Sequence, residues 1–234
     1  MNSKKLFLSG IILIIYFINN LDNSAQQAKP LVKYTYVDET PMTWLSKDYF
    51  DNGYIVFRTN YLNLVMQQTI PRAEDINQPL RAFASLGEYE PASFAIRALR
   101  NLEDVTISVS PLKNQSSSVI SPDRIEIRSV RFLLEKYYSF DTRMMDVPVI
   151  LEKHDKIKIN EFQTQPYWVI FHVPENVQGG YYKGKLTIST KGYKSTDIEL
   201  IIEVLPVKLD PVPSEIALGM YDRVGDSDDK ELLN

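Results

Sequence analysis

The chain has 234 residues, is 44% apolar, carries a formal charge of −4 and contains no cysteine. Disulfides, thiol catalysis and thiolate metal sites are therefore excluded, and an acidic balance offers no electrostatic footprint for nucleic acid. With two histidines in all, His154 and His172, the means for Ser-His-Asp chemistry are thin, and stability must come from a packed core.

The chain begins MNSKKLFLSGIILIIYFINNLDNSAQQ. Lys4 and Lys5, an apolar stretch over residues 6–18 and then polar residues with Ser24 and Ala25 follow the layout of a secretory signal peptide. The stretch falls short of the roughly 20 apolar residues of a permanent span. The expectation is an exported protein (periplasmic, cell-surface or secreted), with residues 1–25 removed and no membrane association afterwards. An uncleaved N-terminal anchor is the alternative. Cleavage after Ala25 leaves 209 residues (234 − 25), with a charge of −5 because Lys4, Lys5 and Asp22 leave together.

Residues 26–52 are rich in aromatics (Tyr34, Tyr36, Trp44, Tyr49, Phe50) without clear periodicity, and read as an irregular lead-in along a domain edge. From Gly53 onward the period is two. GYIVFRTN, PASFAIRAL, DVTISVSPL, RIEIRSV, PYWVIFHVP, GKLTIST and TDIELIIEVLPVKL each place apolar residues on alternate positions. In PYWVIFHVP, for example, Tyr167, Val169, Phe171 and Val173 alternate with Trp168, Ile170 and His172. Such alternation marks strands with one wet face. Turn clusters such as PLKNQSSSVISP, NVQGG and TKGYKS separate the runs, NYLNLVMQQT is ambiguous, and helical periodicity is nearly absent. Seven or more short strands without crossover helices predict an all-β, antiparallel β-sandwich of immunoglobulin-like or jelly-roll type over residues 53–210. A closed barrel is the alternative. Pro206, Pro211 and Pro213 then form a stiff exit, followed by the strand-like run SEIALGMYDR and the acidic GDSDDKELLN. Residues 211–234 are expected to be a linker and the first strand of a second domain that continues beyond them.

One octet, GGYYKGKL, places Gly179, Gly184 and Lys185 on three fixed positions of the phosphate-binding loop G-x-x-x-x-G-K-[ST]. Leu186 offers no hydroxyl, and the β-branched LTIST follows where that loop needs a helix. The octet therefore reads as a turn entering a strand. Gly179 and Gly180 are expected at positive φ, and Gly184 at a close backbone approach.

Other chemistry is sparse. Glu88 and Glu90 flank Tyr89 on one strand face about 7 Å apart, and read as surface acids beside a Gly87 turn rather than an acid–base pair. His172 reads as a sheet histidine with a local hydrogen bond, and His154 as a solvated turn residue. Asp226, Asp228 and Asp229 open like a calcium loop but lack its glycine and closing glutamate. No catalytic, cofactor-binding or metal-binding residue is assigned. Adjacent tyrosines, Tyr137 with Tyr138 and Tyr181 with Tyr182, present rings that could stack on sugars. Tyr181 and Tyr182 are the carbohydrate-contact candidates.

GEYEPASFAIRAL (residues 87–99), DVTISVS, RIEIRSVRF, a run ending VPVIL, and QPYWVIFHVPENVQGGYYKGKLTI with IELIIEVLPVKL together carry a family likeness. They resemble the N-terminal β-sandwich domain of bacterial glycoside hydrolase family 123-type proteins, over about residues 53–210. The resemblance implies that a (β/α)8 barrel follows, with IALGMYDR as its first strand. It also implies release of an N-acetylhexosamine by attack of the substrate's own acetamido group, assisted by an Asp-Glu pair in that barrel. No such pair can be placed in this chain. The expected role is a non-catalytic sandwich supporting that barrel, with the barrel and glycans as partners. A stand-alone carbohydrate-binding module and a surface or assembly protein pairing through an edge strand are the alternatives.

Overall fold

Alternating runs become strands because every second side chain points to the same face, and two such faces can exclude water between them. The structure is a computed structural model that describes residues 31–136 and 143–209. One sheet contains β1 (Val32–Lys33), β2 (Tyr54–Thr59), β4 (Tyr89–Ala98), β8 (Ile125–Lys136), β9 (Arg143–Glu152) and β11 (Thr164–His172). Their order is β1-β9-β8-β11-β4-β2. The second contains β3 (Leu80–Leu86), β5 (Leu102–Val109), β10 (Ile157–Ile159), β12 (Gly180–Ser189) and β13 (Thr196–Lys208), in the order β10-β5-β12-β13-β3. The short β6 (Leu112–Lys113) pairs with β12 and with β7 (Val119–Ile120).

The two sheets pack face to face as an all-β sandwich. Tyr54, Val56, Phe94, Ile96, Val169 and Phe171 from the first meet Leu80, Val105, Leu186, Leu200, Ile202 and Val204 from the second in one core. Phe94 and Tyr167 sit opposite each other on β4 and β11, their rings stacked 5.2 Å apart. The alternation of TDIELIIEVL is the alternation of faces in β13, since Ile198, Leu200, Ile202 and Val204 all enter that core.

The sheets are not purely antiparallel, as the absence of crossover helices had suggested. β13 runs parallel to β3, from Leu200 opposite Leu80 to Lys208 opposite Leu86, and β1 runs parallel to β9. The reason lies in connectivity. β3 passes the chain through the Gly87 turn directly into β4 of the other sheet, so its in-sheet partner arrives only at the end of the domain. The strands between them do the work of a crossover.

The lead-in also differs from an irregular edge. Lys47–Asn52 forms a short helix, α1, which starts after extended Ser46 and stops at Gly53 in the left-handed region (φ 77°). The Gly53 N–H returns to the Tyr49 and Phe50 carbonyls, closing the last turn. Trp44, Leu45, Tyr49 and Phe50 pack on a second, smaller cluster of Ile55, Phe57, Val65, Ile76, Ala95 and Leu99. That cluster lies on the outer face of the first sheet, so β4 is covered on both sides.

The octet GGYYKGKL opens β12 and continues as strand, not helix. Gly180 has the positive φ expected of it (130°), but Gly179 does not. Gly179 is needed for space instead, because a Cβ there would lie 2.9 Å from the Pro206 Cβ. At Gly184 a Cβ would run into the Leu112 side chain and the Pro111 carbonyl. Gly184→Ala should therefore lower stability by about 1–3 kcal/mol through overpacking. Urea unfolding followed by tryptophan fluorescence measures this, and an unshifted midpoint would contradict the close approach.

Candidate functional site

Among the described residues, the outer face of the first sheet carries a two-part concavity. After β2 the chain reverses at Asn60, whose carbonyl accepts the Asn63 N–H at 2.9 Å and whose side-chain oxygen accepts the Leu62 N–H at 2.9 Å. Buried Val65 and Met66 then anchor the loop to the sheet, and the Thr69 hydroxyl accepts the Met66 N–H at 2.8 Å. Leu62 and Leu64 remain 79% and 74% exposed at the tip. On one side the loop bounds a recess of about 250 Å³ with Tyr61, Ser93, Val149, Pro166 and Trp168. On the other it bounds a cleft of about 580 Å³ with Tyr36, Asp38, Arg58, Thr69, Arg72 and Asp75. Thr59, Asn60, Asn63, Leu64 and Val65 line both, so the two adjoin beneath the loop. Half-buried Trp168 meets Tyr61 with ring centroids 5.6 Å apart, tilted by 58°.

Polar contacts hold this cover in place. Asp38 accepts the Thr40 N–H at 2.9 Å and the Ile70 N–H at 2.8 Å, joining the lead-in to the loop. Partial burial pushes its carboxyl pKa up. Hydrogen bonds from Thr40 and from the Ile70 N–H, with the charge of Arg97, outweigh that push and leave the pKa lowered. Arg97, 6% exposed on the outer side of β4, donates to the Gln67 carbonyl at 3.4 Å and to the Thr164 hydroxyl at 3.3 Å. Thr164 in turn donates to the Thr69 carbonyl at 2.6 Å. Burial lowers the guanidinium pKa, and Asp38 opposes that shift.

The two tyrosines singled out in the sequence part company. Tyr181 is 57% exposed, whereas Tyr182 is fully buried and cannot serve as a carbohydrate contact. Adjacent residues on a strand face opposite ways, so one of the pair had to enter the core. The Tyr182 hydroxyl donates to the Gln178 carbonyl at 2.7 Å and lies 2.9 Å from the Ser118 hydroxyl. Across the second sheet Tyr181, Glu203 and Phe83 are successive cross-strand partners. A hydrogen bond to Glu203, and then its charge, push the Tyr181 phenol pKa up. Phe83 is 65% exposed, and Leu205, Val207 and Leu209 continue the apolar patch toward and past the end of β13. Tyr181 also borders a recess with Lys113, Asn114, Gln115 and Lys183.

The remaining candidates have structural duties. The Glu88 carboxylate accepts the Ser85 N–H at 2.7 Å and closes the Gly87 turn. Burial, and then the charge of Glu88, raise the Glu90 pKa. His172 stacks on Tyr89 at 4.2 Å, with Nδ1 3.1 Å from Arg124. His154 Nδ1 lies 3.0 Å from the Ser129 hydroxyl. Among the described residues no group of three or more His, Asp or Glu could hold a metal ion. Tyr137, Tyr138, Asp226, Asp228 and Asp229 lie outside the described residues.

The model of the glycoside hydrolase 123 N-terminal domain matches residues 67–190, more than half of the chain. The chain belongs to this family. A family 123 glycoside hydrolase from Clostridium perfringens, whose structure was analysed for glycolipid glycan hydrolysis, has a similar fold (TM-score 0.54, 22% identity). The likeness covers 59% of this chain and 24% of that one, so the chain matches about a quarter of that enzyme's length. A PapD-like domain of human CEP192 is more distant, with a TM-score of 0.37 and 7% identity over 75% of this chain and 99% of that one. No curated protein sequence matches the chain.

The lowered Asp38 pKa has a pH signature. Its stabilisation is fully present above the ordinary aspartate value of about 3.9 and is lost as pH falls through the lower folded value. Asp38→Asn should cost about 1 kcal/mol at pH 7. Thermal melts of both proteins should show this difference narrowing below about pH 4. A difference that stays constant down to pH 3 would contradict it.

Proposed function

We propose that this domain is the non-catalytic N-terminal sandwich of an exported glycoside hydrolase. It orients a (β/α)8 barrel that follows it and acts on glycans, with N-acetylhexosaminides as the substrate class. Export would follow removal of residues 1–25, and IALGMYDR would start the barrel. Family membership supports the association with a glycoside hydrolase. The observation that carries the supporting role is the apolar patch formed by Tyr181 and Phe83, on the strands either side of Glu203, and by Leu205, Val207 and Leu209, which follow Glu203 along and just past β13. Large apolar side chains exposed together in one patch mark a surface that another body covers. The body delivered to that place by the chain itself is whatever succeeds β13. Glu203, between Tyr181 and Phe83, supplies a polar contact in an otherwise apolar strip, as domain interfaces commonly do.

Two measurements test this. The purified 234-residue chain should hydrolyse no p-nitrophenyl N-acetylhexosaminide, whereas a version extended through the following domain should; turnover by the 234-residue chain would sink the non-catalytic role. Phe83→Ser with Leu205→Ser should leave the stability of the 234-residue chain within about 0.5 kcal/mol, since both side chains are exposed. In the extended protein the same pair should expose the interdomain connection to limited proteolysis and lower the melting temperature of the second domain. An extended protein indifferent to the pair would remove the docking role.

A further inference from the structure

We propose that the groove beneath the Asn60–Val65 loop binds a neutral oligosaccharide, with one pyranose ring against Trp168 and Tyr61 and its neighbour extending toward Asp38 and Arg72. This site is distinct from the apolar patch that would meet a barrel. It lies on the opposite sheet, and it stands or falls whether or not the domain supports a barrel.

The chemistry of the lining selects the ligand. A pyranose presents a flat face of C–H bonds and a rim of hydroxyls. It therefore needs an aromatic surface beside polar groups that can both donate and accept. Trp168 and Tyr61 supply the first, in a recess whose other walls include Pro166 and Val149. Asn60 and Asn63 stand where recess and cleft adjoin. The Asn60 side-chain oxygen holds the Leu62 N–H, which leaves its amide N–H groups to donate. The Asn63 side chain is exposed and makes no hydrogen bond to any described residue, so both its donors and its acceptor are available. Thr59 and Ser93, in contrast, satisfy each other at 2.8 Å and form a neutral floor.

Size and charge agree. A cleft of about 580 Å³ lies in the usual range for a ligand larger than one ring. Its charged groups balance in number: Arg58 pairs with Asp75 at 3.3 Å, and the positive charge of Arg72 is offset by the negative charge of Asp38 in the same lining. A groove of net zero charge has no preference for an anion. The predominance of hydroxyl, amide and ionic groups in the cleft disfavours an apolar peptide. The cover is also fixed before any ligand arrives, because Asp38, Arg97, Thr164 and Thr69 tie lead-in, loop and sheet together. Preorganisation of this kind lowers the ordering cost of binding.

The experiment uses the full chain. Trp44→Phe leaves Trp168 as the sole tryptophan, so its fluorescence reports on the groove alone. Titration with cellobiose, N,N′-diacetylchitobiose, lactose and maltose should give a saturable change with at least one of them. Calorimetry with that sugar should show about a tenfold loss of affinity for Tyr61→Ala and about a 3- to 10-fold loss for Asn63→Ala. The Asn63 side chain is exposed and makes no hydrogen bond to any described residue, and its backbone N–H keeps the Asn60 carbonyl in the variant, so the fold stays intact. Tyr181→Ala, on the opposite sheet, should bind as the parent does. No saturable change with any of the four sugars, together with no retention on a glycan array, would overturn the proposal. So would loss of binding on Tyr181→Ala alone, or selective retention of sulfated or uronate-bearing glycans.

Discussion

A strand that is dry on both faces must be covered twice, and the architecture follows from the fact that β4 is such a strand. Every residue of β4 from Ala92 to Ala98 is buried. The inner cover is the second sheet, against which Phe94 and Ile96 pack. Among the described residues the outer cover is not a third sheet, since their strands all belong to the two sheets or to the β6–β7 pair. It is assembled from the lead-in and the loop after β2. Ser93 and Ala95 are small enough for that cover to approach closely, and Arg97 makes the approach specific. A guanidinium in a dry layer is costly unless its donors are met; Nη1 of Arg97 donates to both Gln67 and Thr164, while its buried Nε has no partner among the described residues. The cover is thus held by polar bonds at its centre and by Val65, Ile76 and Phe57 around them. It spans β4 and β2 but only part of β11. Trp168, one strand over, consequently stays half open, and the groove exists for that reason.

With no disulfide, the inner seam also has to hold its own loops. Two buried tyrosines do this from opposite sheets. Tyr54 reaches through the core to donate to the Lys194 carbonyl at 2.9 Å, tying β2 to the turn before β13. Tyr182 reaches the Gln178 carbonyl from within its own hairpin arm. In each the ring supplies apolar area and the hydroxyl leaves the core at its rim, where a carbonyl would otherwise lack a donor.

How much of this could be read in advance depended on whether a residue's neighbours were local. The strands were legible because one wet face forces alternation, as in PYWVIFHV and TDIELIIEVL. The outer burial of β4 was not, since Ser93, Ala95 and Arg97 look like the wet face of an ordinary strand. NYLNLVMQQT resisted assignment because it is neither strand nor helix; its buried Val65 and Met66 and its exposed Leu62 and Leu64 follow the shape of the sheet below. Helix α1 is too short for a period to show, although Ser46, Asp48 and Gly53 together are a start-and-stop signal that could have found it. Gly180 and Gly184 were legible because a turn and a close contact are local demands, whereas Gly179 makes room for Pro206 of the neighbouring strand, which only the fold brings near. Pairing Trp168 with Tyr61 needed the fold, because the two are far apart in the chain.

The extent of the family match bears on the groove. Residues 67–190 include β4, β8, β11 and β12, and therefore the wall formed by Ser93, Pro166 and Trp168. They do not include Tyr36, Asp38 or the Asn60–Val65 loop, which form the opposite wall. A core strand tolerates little change, since each of its side chains meets packed neighbours on one or both faces. A covering loop needs only its anchors, here Val65 and Met66, and is free at its tip. In the proposed groove the matched region thus supplies Trp168, whereas Tyr61, Asn60, Asn63 and Asp38 lie outside it, and the proposal assigns selectivity among sugars to that outside segment. A chimera that exchanges residues 60–64 between two members of the family should transfer sugar preference while leaving the unfolding midpoint close to that of the recipient, and glycan-array profiles of parents and chimera would show it.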